Sequence, residues 1–252
     1  MHEVLIFTFL IFAGIIAGIV SVVSSMASLV SYPALLLSGV APIYANITNT
    51  AALIFTGLGA AVSSVKELKK SWKKYLAYIV LILIGALIGS FLVVIFPSKI
   101  FEKLVPFFVL FSAFLFLVSG KKATFSKKIS GKMGILISQM GMLIAGIYTG
   151  YFGAASGVLM LIVLMAVSND DFVTVNAVKN IIGSLGNLVA LLVFLFNKSV
   201  FWDKAIPLAI GLAIGGYLGQ IIIRYLPLKQ VRIITFTFAI ILAIYLGYQA
   251  YL

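Results

Sequence analysis

With 252 residues, 63% of them hydrophobic, and a mean hydropathy of +1.24, the chain lies far above the roughly 45–50% apolar share of soluble domains, which excludes a water-soluble module of useful size. A net charge of +12 would suggest nucleic acid in a soluble protein, but nearly all Lys and Arg sit in short segments between apolar runs, where membrane orientation accounts for them. Cysteine is absent and the single histidine is His2, which excludes disulfides, thiolate nucleophiles and His/Cys metal sites; no cofactor is expected.

The N-terminal run MHEVLIFTFLIF lacks a basic n-region and stays apolar past any cleavage site, so it reads as the first helix of the mature protein. Residues 4–23 are apolar up to a small-residue patch, SVVSSMAS at 21–28, after which LVSYPALLLSGV leads to a break at Gly39–Pro42. The serine-rich dip and Pro33 predict two shorter helices, a broken or re-entrant hairpin, rather than one span. Residues 42–65 predict a full span carrying Asn46, Thr48, Asn49, Thr50 and Gly57, closed by the basic loop KELKKSWKK at 66–74. Spans at about 75–96 and 104–119 follow, joined by PSKIFEK, and a second basic loop runs through 120–132.

The second half repeats that order. Residues 133–153 lead to the patch GAASG at 153–157, a shorter run to 168, a central helix at 172–196, and spans at about 205–224 and 231–251. AGIIAGIVSVVSS at 13–25 lies over AGIYTGYFGAASG at 145–157, matching Ala13, Gly14, Gly18 and Ser24 with Ala145, Gly146, Gly150 and Ser156 at an offset of 132. Five helical elements per half is an odd number, so the second half enters the membrane upside down relative to the first. The expected architecture is an all-α polytopic membrane protein of two inverted-topology repeats, 1–120 and 133–252, joined by the linker 121–132 within a single integral membrane domain. Charge agrees: loops 66–74 and 120–132 hold five Lys each and 224–232 holds Arg224, Lys229 and Arg232, against two Lys in each of 97–103 and 198–204. The first three loops are therefore expected to be cytoplasmic, with both termini outside. Asp170 and Asp171 read as charges favouring the start of the central helix.

That central helix carries Lys179. Twenty-five residues reach about 37 Å, enough to cross a hydrocarbon core of roughly 30 Å with tilt. A lysine inside such a helix costs about 2.5–3.5 kcal/mol on insertion scales. Asn176, Asn180, Gly183 and Asn187 recur at i, i+4, i+7 and i+11, with Lys179 at i+3, which gathers one polar stripe. Two readings are open: the stripe lines an anion-binding cavity, or Lys179 snorkels to an interface and the amides hold helices together.

The passage VNAVKNIIGSLGNLVALLVFLFNKSVFWDKAIPLAIGLAIGGYLGQIIIRYLP at 175–227, with AGIIAGIV, PALLLSGVAP and ANITNTAA in the first half, resembles the TauE/SafE family of anion exporters over nearly the whole chain. The resemblance implies a secondary transporter of small sulfur-containing or organic anions such as sulfite, sulfonates or sulfoacetate. Members commonly carry a glycine triplet in the first small-residue patch, where this chain has Ser24, Ser25 and Met26.

An anion at the midplane needs positive potential and donors, and half-helices starting at the two breaks point N-terminal amides inward. The expected substrate-binding residues are Ser24, Ser25, Ser156 and Gly157 from the breaks, Lys179 for charge, Asn176, Asn180 and Asn187 as amides, and Thr48 and Asn49 as their first-half counterparts. The small residues also fit close helix crossing alone. An offset of 132 pairs Thr48 with Asn180, whereas a drift of two pairs Asn46 and Asn49 with Asn176 and Lys179; the sequence leaves both open. Tyr148 and Tyr151 could gate or donate, but interfacial anchoring or core packing is the expected role. No Asp or Glu lies inside an expected span, which predicts a uniporter or channel-like carrier driven by membrane potential. An enzyme would need a nucleophile, acid–base pair or metal cluster within the spans, an assembly protein has no need of matching breaks, and a cation transporter would not welcome Lys179. The expected partners are a small anion and the lipid bilayer of the cell membrane; a homodimer is left open.

Overall fold

The computed structural model describes residues 2–65, 72–119, 131–154, 156–222 and 228–251. Residues 66–71, 120–130 and 223–227, which make up most of the three expected basic loops, lie outside the described residues.

Among the described residues the chain forms ten α-helices and no strand: α1 His2–Ser24, α2 Ser28–Leu37, α3 Pro42–Ser63, α4 Leu76–Ile95, α5 Ser98–Ser119, α6 Gly131–Tyr151, α7 Ser156–Val167, α8 Phe172–Asn197, α9 Trp202–Ile222 and α10 Leu228–Tyr251. Six of them, α1, α3, α4, α6, α8 and α9, are long and apolar enough to cross a membrane. The expected break falls in the serine patch, but unevenly. α1 runs a full 23 residues and α2 only 10, with Pro33 accommodated inside α2 instead of ending it. α5 begins at Ser98, so most of PSKIFEK is helix and not connecting loop, and Glu102 falls on its second turn.

Packing follows the glycines. α1 lies against α9, where a Cβ at Gly14 would stand 2.5 Å from the Leu208 carbonyl oxygen and one at Gly215 would stand 2.2 Å from that of Ile15. α4 lies against α6 in the same manner: a Cβ at Gly150 would meet the Ala86 carbonyl oxygen at 2.1 Å, and one at Gly89 that of Ile147 at 2.0 Å. Small residues let backbones approach this closely, and in lipid such contact replaces the hydrophobic effect as the force between helices. α3 packs on α8 and α9, α4 on α8, and α5 on α10. Exchanging α1–α5 for α6–α10 maps the α1–α9 seam onto α4–α6, α3–α9 onto α4–α8, and α2–α10 onto α5–α7.

At one end of the bundle the start of α4 meets the segment between α7 and α8. Lys74 pairs with Asp170 Oδ1, and the buried Tyr75 hydroxyl donates to Asp170 Oδ2 at 2.8 Å while lying 2.8 Å from Ser168 Oγ. Lys74 is half exposed, so the ion pair itself contributes about 0–1 kcal/mol; the hydrogen bond to a buried phenol is the firmer tie. Asp170 thus binds α4 rather than serving only as a helix-start charge. Asp171 occupies the N-cap of α8, where its Oδ1 accepts from Thr174 Oγ1 at 2.6 Å.

Candidate functional site

α8 spans 26 residues, about 39 Å, and Lys179 lies about 10 Å in from its start. Its side chain does not reach the surface: Lys179 is 3% exposed, and among the described residues no carboxylate pairs with it. Nζ donates to Ser25 Oγ at 2.6 Å, across 154 positions of sequence. The snorkelling reading therefore does not describe this lysine. An ammonium carries three N–H donors, of which Ser25 takes one.

Around Lys179 lies a polar cavity of about 60 Å³. A single water needs roughly 10–15 Å³ on this measure, so the space suits a few waters or one compact ion. Its wall includes Ser25, Ser156, Gly157, Asn180 and Asn187, all anticipated from the sequence, together with Ser21, Ser28, Thr56, Gly57, Gly183 and Ser184. Both short helices begin at this cavity, α2 at Ser28 and α7 at Ser156, so two helix N-termini and one ammonium place positive potential on the same space. Two buried polar atoms on the wall, Asn180 Nδ2 and Thr56 Oγ1, have no hydrogen-bond partner among the described residues. Leaving such groups unpaired costs about 1–3 kcal/mol each, which a ligand rich in acceptors would relieve.

The remaining expected residues stand outside the cavity wall. Asn176 Nδ2 donates to the Val22 carbonyl at 3.1 Å, tying α8 to the end of α1, and reaches Gln220 Oε1 at 3.4 Å. Asn46 Nδ2 donates to the Tyr151 carbonyl at 3.1 Å, tying α3 to the end of α6. Asn49 lies one step behind the wall and donates to Ser28 Oγ at 3.1 Å. Thr48 accepts from the Phe201 amide at 3.2 Å, and Ser24 Oγ donates to its own helix at the Val20 carbonyl, 2.7 Å away. Tyr148 and Tyr151 are buried in an aromatic cluster with Phe108, which fits core packing better than interfacial anchoring.

The break after α1 turns on Ser25, whose φ is +62°; the break after α6 turns on Gly153 at +75°. Glycine adopts this left-handed conformation freely, whereas an L side chain pays about 1–2 kcal/mol. Ser25 holds that conformation with a side chain, and it supplies the hydroxyl that Lys179 holds. Gly157 makes room for that pair: a Cβ there would stand 2.8 Å from Ser25 Cβ and 3.3 Å from Lys179 Cδ. Ser25→Gly relieves about 1–2 kcal/mol at the turn but takes away the hydroxyl that Lys179 holds, so the Tm of the purified chain should change little while anion flux weakens. Ser25→Ala keeps the strained turn without the hydroxyl, so it should lower flux with no gain in Tm.

Bilayer-length helices enclosing a small, positively biased polar chamber are the build of a multi-pass membrane transporter. The family model described as sulfite exporter TauE/SafE matches residues 10–246, and the chain belongs to that family. It is 22% identical over 209 residues to a "Probable membrane transporter protein" of Haemophilus influenzae, covering 82% of this chain and 80% of the relative. A Sinorhizobium "Probable membrane transporter protein ORF9" is 24% identical over 226 residues, 90% of this chain and 85% of the relative. The Escherichia coli "Probable membrane transporter protein YfcA" is 20% identical over 223 residues, 88% of this chain and 82% of the relative. No solved structure gives a significant match.

Proposed function

We propose that the chain is a secondary transporter that exports a compact sulfur-containing oxyanion, sulfite or a small sulfonate, bound beside Lys179 between two inverted halves. The observation that carries this reading is an ammonium sealed at 3% exposure on the wall of a cavity that also holds two helix N-termini, where among the described residues the ammonium has no carboxylate partner and two polar groups are unpaired. Charge-assisted hydrogen bonds are roughly twice as strong as neutral ones, so this donor set favours an anion with several oxygens. A volume of about 60 Å³ favours sulfite over the longer sulfoacetate. The family's name supports the same substrate class. The reciprocal packing of α1–α5 and α6–α10 supports inverted repeats. The excess of Lys in loops 66–74 and 120–132 supports a cytoplasmic Lys74–Asp170 end, with the protein in the plasma membrane.

No carboxylate lines the central cavity, which supports uniport driven by the inside-negative potential at about 2.3 kcal/mol per charge per 100 mV. In liposomes loaded with labelled sulfite, an imposed potential should drive efflux, and about 60 mV should bias it roughly tenfold. Flux that ignores potential but follows a pH gradient would contradict uniport, and saturable binding of a cation in place of sulfite would contradict the anion reading.

A further inference from the structure

The two short helices carry equivalent stripes with opposite surroundings. From its first residue α2 presents Ser28, Tyr32 and Leu36 at i, i+4 and i+8; α7 presents Ser156, Met160 and Leu164 at the same spacing. Ser28 and Ser156 both line the central cavity. Beyond Ser156 the way is closed in depth. Met160 and Leu164 are fully buried in an apolar cluster with Tyr75, Ile82, Met142 and Val178, and Asp170 and Ser168 hold the Tyr75 hydroxyl at its far end.

Beyond Ser28 the closure is aromatic and lies within the main buried cluster, with Leu29, Leu35, Phe101 and Phe152 around Tyr32. Tyr32, one turn or about 6 Å along α2, packs edge-on against Phe152 with ring centroids 5.8 Å apart. Its ring borders a second pocket of about 40 Å³ between α2, α5 and α10, lined by Tyr32, Pro42, Glu102, Val105, Leu246 and Gln249. The Tyr32 hydroxyl is buried there without a hydrogen-bond partner among the described residues. Pro42 and Gln249 also line the wide apolar groove that Leu36 borders, so cavity, pocket and groove succeed one another along a single face of α2.

We propose that the pocket beside Tyr32 is a transit site for the transported oxyanion, reached from the central cavity past the Tyr32 ring and emptied toward the Pro42–Gln249 mouth. This rests on the anion reading of the central cavity. The Tyr32 hydroxyl is a donor for an anion that has left Lys179, and a pocket of about 40 Å³, smaller than the central cavity, takes the bare ion only in passing. Glu102 lines the same pocket, so a like charge shortens the stay: the anion passes and does not accumulate. The structure is accordingly a conformer shut at both ends, by Met160, Leu164 and Tyr75 on the Lys74–Asp170 side and by the Tyr32–Phe152 pair and its neighbours on the other.

Because the chain has no cysteine, Ser28→Cys installs its only thiol, on the cavity wall at 4% exposure. The probe is a small methanethiosulfonate reagent bearing a sulfonate, applied to the full reconstituted chain. Adding Tyr32→Ala should speed labelling of that thiol about tenfold or more, equivalent to about 1.4 kcal/mol of barrier. Adding Met160→Ala should leave it within about twofold, since Leu164 and Tyr75 still close that side. Tyr32→Phe keeps the packing and loses the hydroxyl, so maximal sulfite flux should fall about tenfold with half-saturation nearly unchanged. Labelling untouched by Tyr32→Ala, faster labelling from Met160→Ala than from Tyr32→Ala, or wild-type flux in Tyr32→Phe would each overturn the proposal. Failure of the anion reading shows separately, as sulfite binding that survives Lys179→Gln, and leaves the labelling result intact.

Discussion

Lys179→Ala is expected to abolish anion transport, with flux down about 100-fold or more, while the protein unfolds no more easily than before. The loss corresponds to about 2.7 kcal/mol, the scale of one or two charge-assisted hydrogen bonds to a bound oxyanion. The stability half of the result follows from the same geometry. A buried ammonium whose one protein partner is the neutral Ser25 hydroxyl opposes folding by several kcal/mol, and removing it relieves that cost against a modest loss of packing. Lys179→Arg keeps the charge, but the guanidinium is longer and planar and the space beside the stem is so close that even a Cβ at Gly157 would stand 3.3 Å from Lys179 Cδ, so flux should fall there too, by about tenfold. Efflux from liposomes and thermal melts of the same preparations measure both quantities. Near-normal flux in both variants would remove Lys179 from the binding role. Lost flux with a lower Tm would make it a structural residue.

Gly18→Val should prevent the two halves from docking. A Cβ at Gly18 would lie 2.7 Å from the Gly215 carbonyl carbon, the Gly216 nitrogen and the Leu212 carbonyl oxygen, all of them backbone. No rotamer change relieves such a contact, so α9 must move as a body. It cannot move far, because on its other side a Cβ at Gly216 would already stand 2.4 Å from the Thr56 carbonyl oxygen of α3. Overpacking of this kind costs about 3 kcal/mol or more, enough to lose the folded chain from detergent extracts. Gly183→Ala is the control, since nothing lies within 4 Å of its added Cβ, and it should leave Tm unchanged or slightly higher. Equal tolerance of both changes, by Tm and elution profile, would mean that the α1–α9 seam is looser than the structure has it.

Helix positions, the two breaks and the polar stripe around Lys179 were legible because each is a local pattern: apolar length, small-residue patches, and a 3.6-residue period. The partition of that stripe was not. Asn176 and Asn180 sit one turn apart on one face, yet the end of α1 claims Asn176 through the Val22 carbonyl, a contact across 154 positions that no spacing reveals. Thr48 escaped for the same reason, being turned to the Phe201 amide. Ser184 and Thr56 did leave a signal, at i+4 from Asn180 and i+7 from Asn49, but a hydroxyl in a transmembrane helix so often bonds its own backbone that the pattern alone does not single it out. Glu102 was hidden by a boundary: lysines on either side made a loop of what is the opening of α5. The strained turn at Ser25 had a visible trace in the small-residue patch at 21–28, though its meaning depends on Lys179 arriving from the other half.

Selenite has the shape and charge of sulfite and a heavy atom that can be located by anomalous scattering. In crystals of the full chain soaked with selenite, a selenium peak is expected within hydrogen-bonding reach of Lys179 Nζ, between the starts of α2 and α7. That peak should vanish in Lys179→Gln. Selenium found only among the surface lysines, or a central peak that persists in Lys179→Gln, would contradict a buried cation as the seat of anion recognition.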